Sequence, residues 1–319
     1  GNSSLAALTT GAGNTAVGTG SGAAILAGAQ NTLLGYNALS TADGTESDNT
    51  AIGYRAMEVM TNEGSLKNTA VGSYAMAAIT SASVAESVAI GYEALKGAST
   101  TSQDGSIAIG SKALKALTTG NANLAVGYQA GTAITSGSNN TAVGYEALFT
   151  EDLGKSSTAV GFRACYYQNS DDTDEIVGNT AVGYAALYTN VDGQFNTAIG
   201  YESLFTFEAG TDNYGQNTAV GYRAGKFVST GTGNTYIGIN AGVGITGTPL
   251  TGDNNTAIGR QAGLELEGAA HSNTFVGTNA GSTTENGVEN TCIGNMCLAE
   301  DDTATNQIVI GNSVTGTAD

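Results

Sequence analysis

The stretch "GQNTAVGYRAG", from Gly215 to Gly225, decides the fold because near-copies of it recur along the chain. Two of these are "SNNTAVGYEAL" at Ser138–Leu148 and "VGNTAVGYAAL" at Val177–Leu187. Aligned on the glycine that follows Val, Ile or Leu, the motif occurs 17 times between Gly18 and Gly311, at steps of 17 to 22 residues. A short period over a whole chain is typical of a solenoid, in which each unit contacts only its neighbours.

Each copy of the motif predicts a short strand. Thr and Val or Ile stand two residues apart with Ala between them, and Gly closes the run. This is the two-residue period of a strand that ends in a turn. The Tyr-x-Ala-Leu that follows the glycine predicts a second short strand that crosses back. The expected fold is therefore all-β, a parallel β-solenoid or β-roll of about 17 coils. We expect residues 1–319 to form one continuous repeat domain, without a separate anchor, stalk or catalytic domain.

Differences between copies predict which positions of the motif, called slots here, are buried. The slot before the motif glycine is always aliphatic, so we expect it in the core. The core residues are Val17, Ile52, Val143, Val182, Val220, Ile258 and Ile310. The Thr slot holds Val88 and Ile107 in some copies, which places it on the same face. The Ala slot is never charged, and soluble monomers avoid long exposed apolar strips, so we expect it to contact another chain. The interface residues are Ala51, Ala142, Ala181, Ala219 and Ala257.

Asn usually opens the motif, and Ser or Gln replaces it elsewhere. All three side chains form hydrogen bonds, and Asn both tolerates turn conformations and stacks in ladders. We expect a ladder in the turn of each coil, formed by Asn14, Asn31, Asn49, Asn68, Asn140, Asn179, Asn217 and Asn255.

"SVAIGYEAL" at Ser87–Leu95 resembles the head repeat of trimeric autotransporter adhesins, whose core reads Asn/Ser-x-Val-Ala-Ile-Gly. The Asn-Thr-Ala-Val-Gly-Tyr form also resembles repeat shafts of phage tail fibres and bacterial surface proteins. The resemblance implies a left-handed roll and association of three rolls about an axis, hence a homotrimer. The connecting turns are longer here than in those heads. The chain also shows no heptad stalk, anchor barrel or recognisable chaperone domain.

Composition argues against several functions. Lys and Arg number 10 against 28 Asp and Glu, and the net charge of −18 disfavours binding to nucleic acid. No apolar run is long enough to span a membrane. The three Cys form no disulfide framework and behave as small core residues. Basic residues are few and scattered, and no catalytic constellation is apparent, so we expect no enzymatic activity and no cofactor.

Two groups of residues between motifs are candidate binding sites. Asp171, Asp172 and Asp174 offer oxygen ligands for Ca²⁺, although the spacing fits no known calcium loop and a solvated turn is the simpler interpretation. Long turns often carry binding in repeat proteins. Their aromatic residues, candidate contacts for a surface glycan or a protein receptor, are Tyr166, Tyr167, Phe205, Phe207 and Tyr214. Simple packing of the turns is the alternative.

These patterns predict a structural protein, an extracellular fibre that forms an adhesin head, an appendage shaft or a filament on a cell or virion surface. Neither end shows a polar cap, so we also expect that copies stack end to end. The first alternative is a tail-fibre module that binds a receptor or glycan through its long turns. Ice binding is a minor alternative, because Thr occurs once per motif and is expected to point inward.

Overall fold

Every regular element in the part of the chain described is a β-strand, and the rest consists of turns and bends. The structure is a computed structural model. It describes residues 1–42, 44–61, 65–80, 84–97, 104–170, 175–208, 215–299 and 301–316.

The chain forms two compact units, one of Gly1–Ser157 with Ser170–Glu175 and one of Thr158–Asn169 with Ile176–Asp319. Each unit is a parallel β-solenoid in which one three-residue strand per coil pairs with the strand of the next coil. This confirms the predicted all-β parallel solenoid. Left-handedness and trimeric association stay predictions.

The first unit contains the motif strands β1 (Thr15–Val17), β2 (Thr32–Leu34), β4 (Thr50–Ile52), β6 (Thr69–Val71), β8 (Val88–Ile90), β9 (Ile107–Ile109), β10 (Leu124–Val126) and β11 (Thr141–Val143). A second sheet beside them consists of β3 (Thr41–Ala42), β5 (Val59–Met60) and β7 (Ala78–Ile79). The second unit contains β12 (Thr158–Val160), β13 (Thr180–Val182), β14 (Thr197–Ile199), β15 (Thr218–Val220), β16 (Thr235–Ile237), β17 (Thr256–Ile258), β18 (Thr274–Val276), β19 (Thr291–Ile293) and β20 (Ile308–Ile310).

The strands pair without any shift in register, so like residues form columns. In the second unit Thr180, Ala181 and Val182 lie opposite Thr197, Ala198 and Ile199. The motif glycine fixes this register. Gly183 has φ of +137°, and a Cβ there would stand 2.4 Å from the carbonyl oxygen of Gly200. Only glycine permits both this backbone conformation and this approach between coils.

The segment after the glycine is a turn in the described coils, not the predicted second strand. Its second and fourth residues adopt left-handed conformations, as at Glu202 (φ 52°) and Leu204 (φ 46°). Hydrogen bonds to both neighbouring coils offset this cost. The Glu202 amide donates to the Tyr184 carbonyl at 2.9 Å, and the Leu204 amide donates to the Ala224 carbonyl at 3.0 Å.

The predicted facing of the strand was wrong. The Ala of each motif is buried inside its own coil, and the flanking Thr and Val or Ile point away from the interior. The residues assigned to a subunit interface, Ala51, Ala142, Ala181, Ala219 and Ala257, are at most 1% exposed within the chain. The residues assigned to the core lie on the outward side, where Val17 is 55% and Ile310 67% exposed; Ile52, Val143, Val182, Val220 and Ile258 lie there too. The interior is narrow, so the small residue faces inward.

Large residues enter the Ala slot only opposite glycine. Tyr236 and Phe275 occupy that slot and are fully buried. The fourth residue after the motif glycine, usually Leu or Met in the first unit, is Gly242 and Gly281 in these coils. A Cβ on Gly242 would stand 2.1 Å from the Tyr236 ring, and one on Gly281 would stand 2.6 Å from the Phe275 ring. The aromatic ring therefore takes the volume that leucine fills in other coils.

Candidate functional site

The outward columns of Thr and of Val or Ile form an uncharged surface on each unit, called here the outward face. In the second unit the Thr column holds Thr158, Thr180, Thr197, Thr218, Thr235, Thr256, Thr274 and Thr291, and the aliphatic column holds Val160, Val182, Ile199, Val220, Ile237, Ile258, Val276, Ile293 and Ile310. Ile199, Ile237, Ile258 and Ile293 are 37–40% exposed. No strand residue in either column is charged. Contiguous exposed apolar patches on proteins often mark interaction sites, so the outward face is the candidate site on each unit.

Aromatic residues directly after the motif glycine form ladders bordering the outward face. In the second unit Phe162, Tyr184, Tyr201 and Tyr222 stack with centroid separations of 5.0, 4.9 and 5.4 Å. The first unit has a similar row, in which Tyr36 stacks on Tyr54 at 5.5 Å. The ring faces stack against neighbouring rings in the ladder, and the side chains nevertheless stay partly exposed. The ladders widen the apolar surface by one further column.

The Asn side chains lie in the predicted position and form a hydrogen-bonded ladder. The Asn217 side-chain oxygen accepts from the Asn234 amide at 2.9 Å, and its Nδ2 donates to the Gly231 carbonyl at 2.9 Å. The same oxygen contact to the next coil is made by Asn14, Asn31, Asn49, Asn68, Asn140, Asn179 and Asn255. Ser replaces Asn with the same role, since the Ser87 hydroxyl accepts from the Ser106 amide at 3.2 Å. These groups satisfy backbone atoms inside the coil and are not available to a ligand.

The aromatic turn residues form a cluster in the second unit. Tyr166 stacks on Tyr188 at 5.3 Å, and Tyr188 stacks on Phe205 at 5.1 Å. Tyr167 packs edge-on against Tyr188 and is 45% exposed, so it is accessible to a partner. Phe207 is fully buried, which rules it out as a contact because no part of its ring reaches the surface. Tyr214 lies outside the described residues.

Cations in the turns are held by glutamates. Glu202 accepts from Lys226 at 2.6 Å and Arg223 at 3.0 Å. Partial burial opposes ionisation of Glu202, but the two cations outweigh it and lower its pKa. In the first unit, hydrogen bonds from Lys115 and Lys96 lower the pKa of Glu93 to about 2. These ion pairs link neighbouring turns.

The calcium candidates Asp171, Asp172 and Asp174 lie outside the described residues. Within the described ranges, no three His, Cys, Asp or Glu side chains come together as a metal site would require. The same ranges contain no helix with the length and hydropathy to cross a bilayer.

Sequence reasoning missed two features of this surface, the outward Thr column and the aromatic ladders. The Thr column was placed inside because Val and Ile substitute for it, and a substitution pattern does not separate a core from an interface. The ladders follow from the register, which stacks each Tyr on the next. A scan against protein-family models and a search of curated proteins found no match.

Proposed function

We propose that the chain is a non-enzymatic structural protein whose outward face is covered by further copies of itself in an extracellular fibre. The fibre serves as an adhesin head, an appendage shaft or a filament, and the resemblance in sequence favours a homotrimer. The observation that carries the proposal is the uncharged outward face, with Ile199, Ile237, Ile258 and Ile293 each 37–40% exposed.

The outward face repeats from coil to coil. In the second unit every coil but the last, which has Ile308, presents a Thr and an aliphatic residue in the same register. Identical chains that meet through this face would therefore bury matching columns. The hydrogen-bonded backbone and Asn ladders make each coil stiff. Association would then yield a rigid, protease-resistant spacer, and its role would be mechanical.

The test measures molar mass in solution by sedimentation equilibrium or native mass spectrometry. We expect three copies per particle. The double variant Ile199→Lys/Ile237→Lys places charges on the outward face without touching the interior and should dissociate the particle. Ile176→Lys is the matched control, since Ile176 is 57% exposed but lies outside the motif strands. A monomeric parent protein, or equal effects of both variants, would contradict the proposal.

Ice binding is the second candidate, favoured by the outward Thr column. Ice binding was only a minor alternative because Thr was expected to point inward, and that expectation was wrong. A flat array of Thr beside Val or Ile repeats at the strand spacing of about 4.8 Å. The same face cannot bind ice and be covered by other copies. A monomer that depresses the freezing point below the melting point would support this function, and an oligomer without that effect would support the fibre.

A receptor-binding module is the remaining alternative. Tyr167 is exposed beside Tyr166, and the Arg163 guanidinium lies 5.1 Å from the Tyr166 ring centroid. Such an arrangement suits a sugar or a protein loop. Glycan-array binding that is lost in Tyr167→Ala, with unchanged molar mass, would support this role; no binding by the parent protein would refute it.

A further inference from the structure

Two of the three cysteines meet inside one coil of the second unit. Cys292 is the central residue of β19 and occupies the inward Ala slot. Cys297 is the third residue after the motif glycine Gly294, a slot that is Ala280 in the preceding coil. Both side chains are fully buried. The coil thus carries sulfur in two inward slots that elsewhere hold small apolar side chains.

Both side chains enter the interior of the same coil, on either side of the turn at Gly294. There each thiol is close enough to the other to shift its pKa, as is the Gly281 amide of the preceding coil. The Gly281 amide also donates to the Cys297 carbonyl at 2.8 Å, which fixes the backbone beside the pair. Gly281 has no side chain to stand between the sulfurs. The turn at Gly294 holds the two cysteines across a short loop.

We propose that Cys292 and Cys297 oxidise to a disulfide that closes this coil from within. An S–S bond forms and two S–H bonds break. The two thiols give up two electrons and two protons to a low-molecular-weight disulfide such as oxidised glutathione, which is reduced to two thiols. The product is a covalent loop of residues 292–297 around the motif glycine. The inference does not depend on the proposed function.

The closed coil controls when this reaction occurs. Burial raises the pKa of the Cys292 thiol to about 12 and raises that of Cys297. The reactive thiolate is therefore scarce in the folded coil, and the oxidant has no access. Oxidation takes place while the coil is open, during folding or local opening. Once the coil closes, the same burial protects the disulfide from reductants.

The experiment uses Met296, which stands between the two cysteines. The full chain is unfolded in urea with reductant, refolded with oxidised glutathione, and treated with N-ethylmaleimide before and after denaturation. Cyanogen bromide then cleaves after Met296. We expect the fragments on either side of this cleavage to stay joined until a reductant is added, with Cys165 carrying the maleimide. Separate fragments with maleimide or glutathione on all three cysteines, or a bond to Cys165, would overturn the proposal.

The variant Cys292→Ala/Cys297→Ala is the matched control, because Ala fills both slots in other coils and the variant keeps a standard interior. We expect the oxidised parent protein to show a higher Tm than its reduced form, and the variant to show the same Tm with and without reductant. A Tm difference of equal size in the variant would also overturn the proposal.

Discussion

The exchange of volume between the Ala slot and the fourth residue after the glycine leads to a sharp prediction at Phe275 and Gly281. Phe275→Ala removes a fully buried ring and should cost about 3–5 kcal/mol of unfolding free energy. Gly281→Leu places a Cβ 2.6 Å from that ring. Overpacking should cost about 1–3 kcal/mol, and the left-handed backbone (φ 57°) about 1 kcal/mol more.

The double variant Phe275→Ala/Gly281→Leu should lose less unfolding free energy than the two single variants lose together. It recreates the Ala and Leu pair of other coils in the same unit, such as Ala181 with Leu187, where Leu187 also has a left-handed φ of 52°. The leucine then fills part of the space left by the ring. We expect a total loss of about 2–3 kcal/mol, against a sum of about 5–9 kcal/mol for the single variants, so the coupling is at least about 2 kcal/mol.

The assay is urea unfolding followed by circular dichroism, on all four proteins at one concentration. Phe275→Ala combined with Leu204→Ala is the control, because Leu204 lies in a distant coil and the two losses should add within about 0.5 kcal/mol. Additive losses for Phe275→Ala and Gly281→Leu would refute the reasoning. They would mean that the two slots do not share one volume.

Three further predictions concern the glycine column, the Asn ladder and the turns. A Cβ on Gly200 would stand 2.3 Å from a carbonyl oxygen in the next coil, so Gly200→Ala should lower the unfolding free energy by more than about 3 kcal/mol, measured in urea. Gly105→Ala, with nothing within 4 Å of the added Cβ, should cost about 1 kcal/mol and serves as its control. Asn217→Ala leaves a buried amide and a buried carbonyl without partners and should cost about 2–4 kcal/mol in the same assay, whereas Asn217→Ser should cost about half as much; equal losses would contradict the ladder. The pKa of Glu93 is about 2 in the folded chain against 4.5 ordinarily, so its contribution to stability is complete above about pH 4.5 and is lost as the pH falls towards 2. Glu93→Gln should flatten the acid dependence of Tm in that window, and an unchanged profile would count against the ion pair.

The sequence was sufficient for those features that depend on neighbouring residues alone. A β-branched pair two residues apart, a closing glycine and a polar opening residue each predict their own backbone, and the structure has a strand, a left-handed glycine and an Asn ladder at those places. The spacing of apolar residues alone did not distinguish a strand from a turn in the segment after the glycine. Its Ala and Leu, such as Ala186 and Leu187, are both buried although they are consecutive, which a strand with one face towards solvent does not allow.

To predict which side of the motif strand points into the coil, a second position of the motif has to be considered. The Ala slot and the Val slot are both uncharged, so hydrophobicity does not separate inward from outward. The separating signal is an exchange of size, since Leu33, Tyr236 and Phe275 replace Ala only where glycine stands nearby, at Gly22 for Leu33. Residues that exchange volume must share one space, and that space is the coil interior. This pairing is visible in the sequence and would have placed Ala inside.

The reversed facing also changes the physical basis of the proposed association. An outward Ala column would offer little area to a partner. An outward Ile that is about 40% exposed offers roughly 0.6–1.2 kcal/mol when it becomes covered. Over the nine aliphatic residues of the second unit, four of which are less exposed Val, the sum is no more than about 10 kcal/mol, which lies within the roughly 4–15 kcal/mol that association costs. A few coils would therefore not hold copies together, whereas many coils in register would. Under this proposal, repetition of the motif is what makes the assembly stable, and a charge in two coils is enough to tip the balance towards separate chains.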